Sequence, residues 1–433
     1  MKLFKYFKQD CKSMKIFKFG GASVKDAEAV RNVKSILEKY VSGPVVVVIS
    51  AMGKTTNTLE AVLNAYWNGK DPLAMLELVK SYHFDILDEL MPDHSNPIWG
   101  ELNKIFLELG LYLEIPSQKA YDAEYDYIVS YGEILSTKII GAYLNHAGFE
   151  NQWVDARNYI ITNHLHCEAR VDWDLTKSRI GGSIHEITRK MPVITQGFIG
   201  STQDKVTTTL GREGSDFTAS VFAYCLDAEE LVIWKDVPGI LNADPKKFPE
   251  TVKFNQLSYQ DAVEMTYYGA TVLHPKTIKP LQNKNIPLRV RSFLEPEQPG
   301  TIIGDMIPAN ESNQAPIIIL KENQSLISLS TRDYSFIAEE AIEQIFDEVV
   351  AHGIKVNVMH NSAISFQICV DERPGGGEDF LHTLQKEFEI TKAPGLELLT
   401  VKYPSAKILE QLLSGKKVLL EMRSGDTVQF VLE

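Results

Sequence analysis

Within Thr208–Ser220, TTLGREGSDFTAS, one arginine, two acids, two glycines and a serine occupy six consecutive positions, Gly211 to Asp216. Lys205–Leu210 reads as a strand that breaks at Gly211, and Ala219–Leu226 turns apolar, as the body of a helix would. A strand, a glycine turn and a helix start present free backbone N–H groups to an anion. Arg212 adds a planar fork that fits a carboxylate with two hydrogen bonds. Asp216 adds a fixed negative charge beside it. Alone, the stretch reads equally well as a solvated surface turn. Its weight comes from other stretches that ask for the same kind of ligand.

Lys18-Phe19-Gly20-Gly21-Ala22-Ser23 sets a lysine at a strand end and two glycines in the next turn. Glycine lets backbone approach a phosphate, and the ammonium offsets the charge of its oxygens. This is not a G-x-x-x-x-G-K-[ST] loop. Ser50–Asn57, SAMGKTTN, leaves a buried strand and enters a helix, so the hydroxyls of Ser50 and Thr56 can meet a small acid or simply cap the helix. Gly132-Glu133 lies in a helix that otherwise reads as buried, where a glutamate wants a cationic partner. Lys235-Asp236-Val237-Pro238-Gly239 and Asn242–Lys246 follow a further buried strand. Gly269–Lys276, GATVLHPK, ends a helix, and its His274 reads as a hydrogen-bonded structural histidine rather than a catalyst.

The elements that carry these residues alternate. Lys15–Phe19 is a strand, Val30, Val33, Leu37 and Tyr40 mark one face of a helix, and Val45–Ser50 is a β-branched run typical of a strand buried on both faces. That order predicts a βαβ unit and a parallel sheet. Leu59–Leu109 reads as helical with breaks near Pro92 and Pro97, and Tyr127–Asn145 as one helix. Pro192–Phe198, Leu231–Trp234 and Pro287–Val290 are further strands, with a helix over Tyr259–Tyr268 capped by Ser258. Residues 14–300 thus read as one α/β domain. After a proline-rich stretch, 315–433 reads as small α+β units. These comprise strands Ile317–Leu320, Ser325–Ser330, Lys355–His360 and Ile364–Val370, a helix from Phe336 to His352, and a strand, helix and hairpin beyond Leu396.

The chain has 433 residues, enough for two or three domains, and a net charge of −13, which argues against a nucleic-acid partner. Its four cysteines are scattered, which suits a reducing cytoplasm and indicates neither a zinc motif nor a disulfide framework. No apolar run approaches a membrane span. Residues 1–13 are rich in Lys and Phe, lack the features of a signal peptide and read as a disordered extension.

Taken together and in this order, KFGGAS, the helical GE, GREGSD, DVPGILNADPK and GATVLHPK resemble aspartate kinase of the amino-acid kinase family, over Lys15 to about Ser292. The tail resembles the ACT regulatory region of those enzymes. The resemblance implies a mostly parallel αβα sandwich followed by ferredoxin-like ACT units. It implies transfer of phosphate from ATP, with Mg²⁺ carried by the nucleotide, to the side chain of L-aspartate. Lys18 would steady the transferring phosphoryl group, and Gly20, Gly21 and Ser23 would line the phosphate path. Ser50, Thr56, Glu133, Arg212 and Ser215 would hold the amino acid, with Asp216 as the essential acid. Lys235, Asp236, Leu241, Asp244, Lys246, Thr271 and Val272 would border the nucleotide. Ser335, Phe336, Ile337, Asn357, Asn361 and Ser362 match an amino-acid effector site at a homodimer interface between ACT units. Three positions depart from the family: Glu213 stands where glycine is usual, Lys235 where threonine is usual and Thr271 where lysine is usual. Glu213 is expected to point outward, and Lys235 to supply the ammonium that Thr271 lacks. A kinase for another small acidic amino acid, or a catalytically silent sensor on the same fold, are the alternatives.

Overall fold

The computed structural model describes residues 13–270, 273–305, 315–333, 335–372 and 378–433. They pack as two units. The first takes the described residues up to Ile240, with 255–263 and 273–305; the second takes 241–254, 264–270 and the described part of 309–433.

Ten strands build the first unit: β1 (Lys15–Phe19), β2 (Val45–Ile49), β3 (Gln152–Trp153), β4 (Val193–Gln196), β5 (Ile199–Ser201), β6 (Thr207–Thr209), β7 (Glu230–Lys235), β8 (Gln256–Leu257), β9 (Leu288–Ser292) and β10 (Thr301–Ile303). Eight of them form one sheet in the order β3-β4-β2-β1-β7-β9-β10-β8. All its pairings are parallel except β10 against β9. β5 and β6 form a separate antiparallel hairpin. The unbroken apolar sequence of β2 follows from its place: all five residues are buried, because helices cover both faces of a parallel sheet. Trp234 of β7 locks this centre, stacked on Phe19 at 6.0 Å between centroids and met edge-on by Phe17. Burying an aromatic of this size contributes on the order of 1.5–3 kcal/mol.

The βα turns on the Phe19 side of the sheet come unusually close. A Cβ on Gly21 would lie 2.9 Å from the carbonyl oxygens of both Ala51 and Gly53, so only glycine lets the turns after β1 and β2 touch. Gly53 N–H donates to Gly21 O across this contact at 3.1 Å. Gly132 plays the same part from the helix side, where a Cβ would sit 3.0 Å from that of Ala51. The segment predicted as one helix over Tyr127–Asn145 is two, Tyr121–Val129 and Tyr131–His146, meeting at Ser130. The hydroxyl of Ser130 bonds Tyr127 O at 2.7 Å, the local competition with the helix ladder that serine favours.

In the second unit, six strands form one antiparallel sheet in the order β12-β13-β11-β14-β16-β15: β11 (Ile317–Thr331), β12 (Val356–Asn361), β13 (Ser365–Asp371), β14 (Phe388–Lys402), β15 (Val418–Ser424) and β16 (Thr427–Leu432). The two short strands predicted at Ile317–Leu320 and Ser325–Ser330 are a single strand. The polar KENQ between them is a bulge, with register shifts at Lys321/Gln324 and Asn323 at φ 55°. The polar residues that suggest a break are therefore the bulge itself. The helix expected from Phe336 starts at Glu339.

Candidate active site

The turns after β1 and β2, the start of the helix Tyr131–His146 and the start of the helix Gly214–Cys225 converge on a cleft of about 820 Å³. It opens beyond the carboxyl ends of β1 and β2, where open α/β sheets place their ligands. Eight of the residues singled out in the sequence line it: Lys18, Gly21, Ser50, Thr56, Glu133, Arg212, Ser215 and Asp216.

Its charge pattern centres on Asp216, which is 0% exposed at the first turn of the helix Gly214–Cys225. Lys18 Nζ lies 2.7 Å from one carboxylate oxygen and Lys235 Nζ 3.2 Å from the other. Burial alone would raise the Asp216 pKa; the two ammonium groups outweigh it and hold the carboxyl below its ordinary value. Burial works to lower the Lys235 pKa, and Asp216 and Glu213 reverse that to a net rise. Lys18 and Lys235 share the Asp216 carboxylate, and Glu213, 4.0 Å from Lys235, balances the second ammonium.

Glu213 does not simply point outward as expected. It lines the cleft, is half-exposed and turns toward Lys235. Its backbone sits at φ 55°, ψ 27°, a left-handed conformation costly for residues with a Cβ, which is why glycine suits this turn.

Glu133 is 3% exposed. One oxygen accepts from Ala51 N–H at 3.3 Å, and the other is buried without a hydrogen-bond partner. Burial pushes its pKa up to about 8, only partly opposed by the Ala51 bond and by the Lys18 charge. A buried carboxyl with an orphaned oxygen on a cleft wall is, once ionised, a receptor for a cation. Arg212, by contrast, is exposed and ion-paired to no described residue, so its fork is available to the cleft.

Other predicted residues fall elsewhere. Gly20 lies against the Lys18 ammonium, 3.4 Å from where its Cβ would be. Ser23 is buried, and its hydroxyl donates to Trp234 O at 3.4 Å, a tie within the fold. Asp236 is exposed just past β7. Leu241, Asp244 and Lys246 belong to the second unit, where Asp244 Oδ1 accepts from Lys246 N–H at 2.9 Å in a local turn. Thr271 and Val272 lie outside the described residues. His274 caps the helix Pro275–Gln282, its Nδ1 accepting from Lys276 N–H at 3.2 Å, the structural part expected of it.

Of the effector residues, Ile337 N–H donates to Ala363 O at 3.0 Å, which brings the chain entering the helix Glu339–Ala351 beside the Asn361-Ser362 turn. Ser335 is exposed, and Phe336 is 76% exposed. Asn357 is already partnered within the unit: its Nδ2 donates to Asp371 and Gln324 at 2.7 and 2.8 Å, and its Oδ1 accepts from Lys321 Nζ at 2.8 Å.

Sequence reasoning missed a group beneath the rim. Asp126, fully buried, accepts from Thr209 Oγ1 at 2.5 Å, from the Cys167 N–H at 3.1 Å and pairs with His166 Nδ1 at 2.7 Å. It thereby staples the Cys167-Glu168 loop to β6, which leads directly into Gly211-Arg212. Facing residues Glu60 and Asn64 also line the cleft, bonded to the hydroxyls of Tyr125 and Tyr121 at 2.9 and 3.0 Å. Both pairs show i, i+4 spacing, a signal legible in sequence, but nothing there says that the two helices face each other.

Residues 13–292 match the amino acid kinase family. The chain is 32% identical over 380 residues to the chloroplastic aspartokinase 1 of Arabidopsis thaliana, covering 82% of this chain and 63% of that one. It is 31% identical over 363 residues to the lysine-sensitive aspartokinase 3 of Escherichia coli, covering 82% and 78%. Among solved structures, E. coli aspartokinase III in complex with lysine and aspartate superposes with a TM-score of 0.82 at 27% identity, covering 96% of this chain and 95% of that one. The same enzyme with aspartate and ADP gives 0.81 at 26%, covering 97% and 96%. The parallel sheet, the cleft at its carboxyl edge and these likenesses agree that the chain belongs to the amino acid kinase family, among the aspartokinases.

Proposed function

We propose that this chain transfers the γ-phosphoryl group of ATP to the side-chain carboxylate of L-aspartate, giving β-aspartyl phosphate and ADP. The observation that carries the reading is the orphaned oxygen of buried Glu133 in the same cleft as Lys18, Arg212 and Asp216. A ligand with an ammonium group and two carboxylates satisfies all of them. The aspartokinase crystallised with aspartate and ADP supports the same pairing of ligands. Glu133 then takes the ammonium. Arg212, with the hydroxyl of Ser215 and the helix-start N–H groups, takes the α-carboxylate. Ser50 and Thr56 steer the side-chain carboxylate toward the nucleotide. Lys18 and Lys235 face the phosphates, with Gly20 and Gly21 allowing backbone approach and Ser23 tying the turn to β7. Asp236, Leu241, Asp244, Lys246, Thr271 and Val272 are assigned to the nucleotide by resemblance.

The nucleophile is a carboxylate, ionised at neutral pH because its ordinary pKa is about 4, so no general base is needed. The residues must instead bring two anions into line and offset their repulsion. Mg²⁺ bound to ATP would add positive charge at the phosphate oxygens. By resemblance the ion would be carried by the nucleotide, with water completing its oxygen shell. No described helix is long and apolar enough to cross a membrane, and the reaction is assigned to the cytoplasm. Its product is assigned to the route toward lysine, threonine and methionine. Trapping with hydroxylamine tests the chemistry: aspartate, ATP and enzyme should yield the β-hydroxamate in step with ADP. ADP release without hydroxamate would refute acyl phosphate formation.

Asp126 should act as a positioning residue for the amino acid. Asp126→Asn removes charge-assisted bonds worth about 1.5–3 kcal/mol each and loosens the strand that leads to Arg212. The KM for aspartate should rise roughly ten- to a hundredfold with that for ATP nearly unchanged. Equal rises in both, in a variant whose melting temperature is retained, would contradict the assignment.

We take 14–300 as the catalytic domain and 315–433 as an ACT-like region that pairs two copies into a dimer. The expected acceptor for an effector ammonium, Asn357 Oδ1, is occupied by the Lys321 ammonium of the same chain. Free lysine should therefore inhibit weakly or not at all. Lys321→Ala should lower the half-inhibitory concentration of lysine. Micromolar inhibition of the unmodified enzyme would contradict this.

A further inference from the structure

A second concavity, of about 730 Å³, is built within the first unit between the helices Trp173–Thr188, Gly214–Cys225 and Pro275–Gln282. Three aromatic residues form its wall. Trp173 meets Tyr224 edge-on at 5.0 Å and Phe217 edge-on at 6.3 Å. Phe217 and Tyr224 are seven residues apart, two turns of one helix, so both present to the same side. Trp173 remains 36% exposed, unusually open for a tryptophan in a folded domain.

The charges on the rim are Arg170, Lys276 and Lys279 against one acid, Glu168. None of the three cations is ion-paired with a described residue, whereas neighbouring Lys284 is held by Asp227 and the Tyr224 ring. In a chain of net charge −13, three unpartnered cations around an aromatic floor form a local reversal of sign. The polar groups converge at the edge of an apolar hollow, the arrangement of a small-molecule pocket.

We propose that this pocket binds a small carboxylate bearing an aromatic ring, with the ring against Trp173, Phe217 and Tyr224 and the acid on Lys276, Lys279 or Arg170. It is separate from the catalytic reading, and the two meet only at Glu168, which lines both cavities. The ligand class has two sources. An aromatic α-amino acid would also offer its ammonium to Glu168, and an aromatic acid without an amino group would not.

The test is calorimetric titration of the full chain with indole-3-acetate, indole-3-acetamide and L-tryptophan, with and without saturating ATP and aspartate. Indole-3-acetate should bind at one site, roughly tenfold or more tighter than the amide, because an ionised partner makes the stronger hydrogen bond. The double variant Lys276→Ala/Lys279→Ala should lose that advantage and keep its melting temperature, neither side chain being buried. Trp173→Ala should weaken acid and amide alike. Tighter binding of L-tryptophan than of indole-3-acetate would identify the amino-acid source, and the reverse order the other. No saturable binding, equal affinity for acid and amide, or displacement by ATP and aspartate would overturn the proposal. Failure of the kinase reading would leave the binding result unaffected.

Discussion

Lys18→Met should lower kcat by roughly 10²–10³-fold, the loss typical of removing one charge that stabilises a developing anion. Methionine keeps most of the length and the apolar stem of lysine, so the change is mainly one of charge. The loss should fall on kcat rather than on either KM, because the ammonium matters most when charge accumulates on the transferring group. Stability must be measured beside it. Lys18 is 6% exposed and lies 2.7 Å from Asp216, and breaking a buried pair by removing one partner costs about 3–5 kcal/mol. Lys235, 3.2 Å from the other oxygen, softens that cost by keeping Asp216 partnered. Lys235→Thr provides the contrast: it should raise the KM for ATP and leave that for aspartate nearly unchanged. A folded Lys18→Met enzyme with near-normal kcat would remove Lys18 from the mechanism.

Glu133→Gln should raise the KM for aspartate by the equivalent of about 2–5 kcal/mol, the cost of losing one partner of a desolvated charge pair. The substitution preserves shape and the bond from Ala51, so packing should survive. Its distinctive mark is the pH profile. Burial holds the Glu133 carboxyl at about 8 in the free protein, so through neutral pH it keeps its proton and is a poor partner for an ammonium. As pH rises through about 8 the carboxylate forms, and kcat/KM for aspartate should climb; Glu133→Gln should flatten that rise. Stability should run the opposite way. The folded pKa lies above the unfolded value of 4.5, so between 4.5 and about 8 the folded state binds more protons and loses stability as pH increases. Glu133→Gln should remove this loss, and at pH 8 should melt no lower than the parent protein. A profile for the variant that matches the parent's would show that Glu133 does not meet the substrate.

Much of this site was legible in the chain because its parts are short and local. A glycine pair after a strand, an arginine before a helix start and a glutamate inside an apolar helix each imply their surroundings, and Lys18, Glu133, Arg212 and Asp216 do line one cleft. What local sequence cannot give is partnership at long range. Asp126 reads as one more acid on a helix, and its role exists only because Thr209, His166 and Cys167 arrive from 40 to 83 residues away. Glu213 shows the same limit. Its charge suggested an outward side chain, yet the left-handed backbone of the turn and the nearby Lys235 decide where it goes. In the second unit, KENQ looked like a break between two strands because polar residues and Asn in a β run suggest a turn. A bulge satisfies the same local demands without ending the strand. Asn357 reads in sequence only as one of the effector residues, and the fold alone brings Lys321 onto its Oδ1 across 36 residues.

The most direct test of the central claim is the initial rate of ADP release at saturating ATP and Mg²⁺ with L-aspartate, with L-glutamate and with no amino acid. The cleft as described predicts saturable ADP release with aspartate, well above the rates with glutamate or with no acceptor. A rate with aspartate no greater than with glutamate, or no aspartate-dependent rate at all from folded protein, would contradict it.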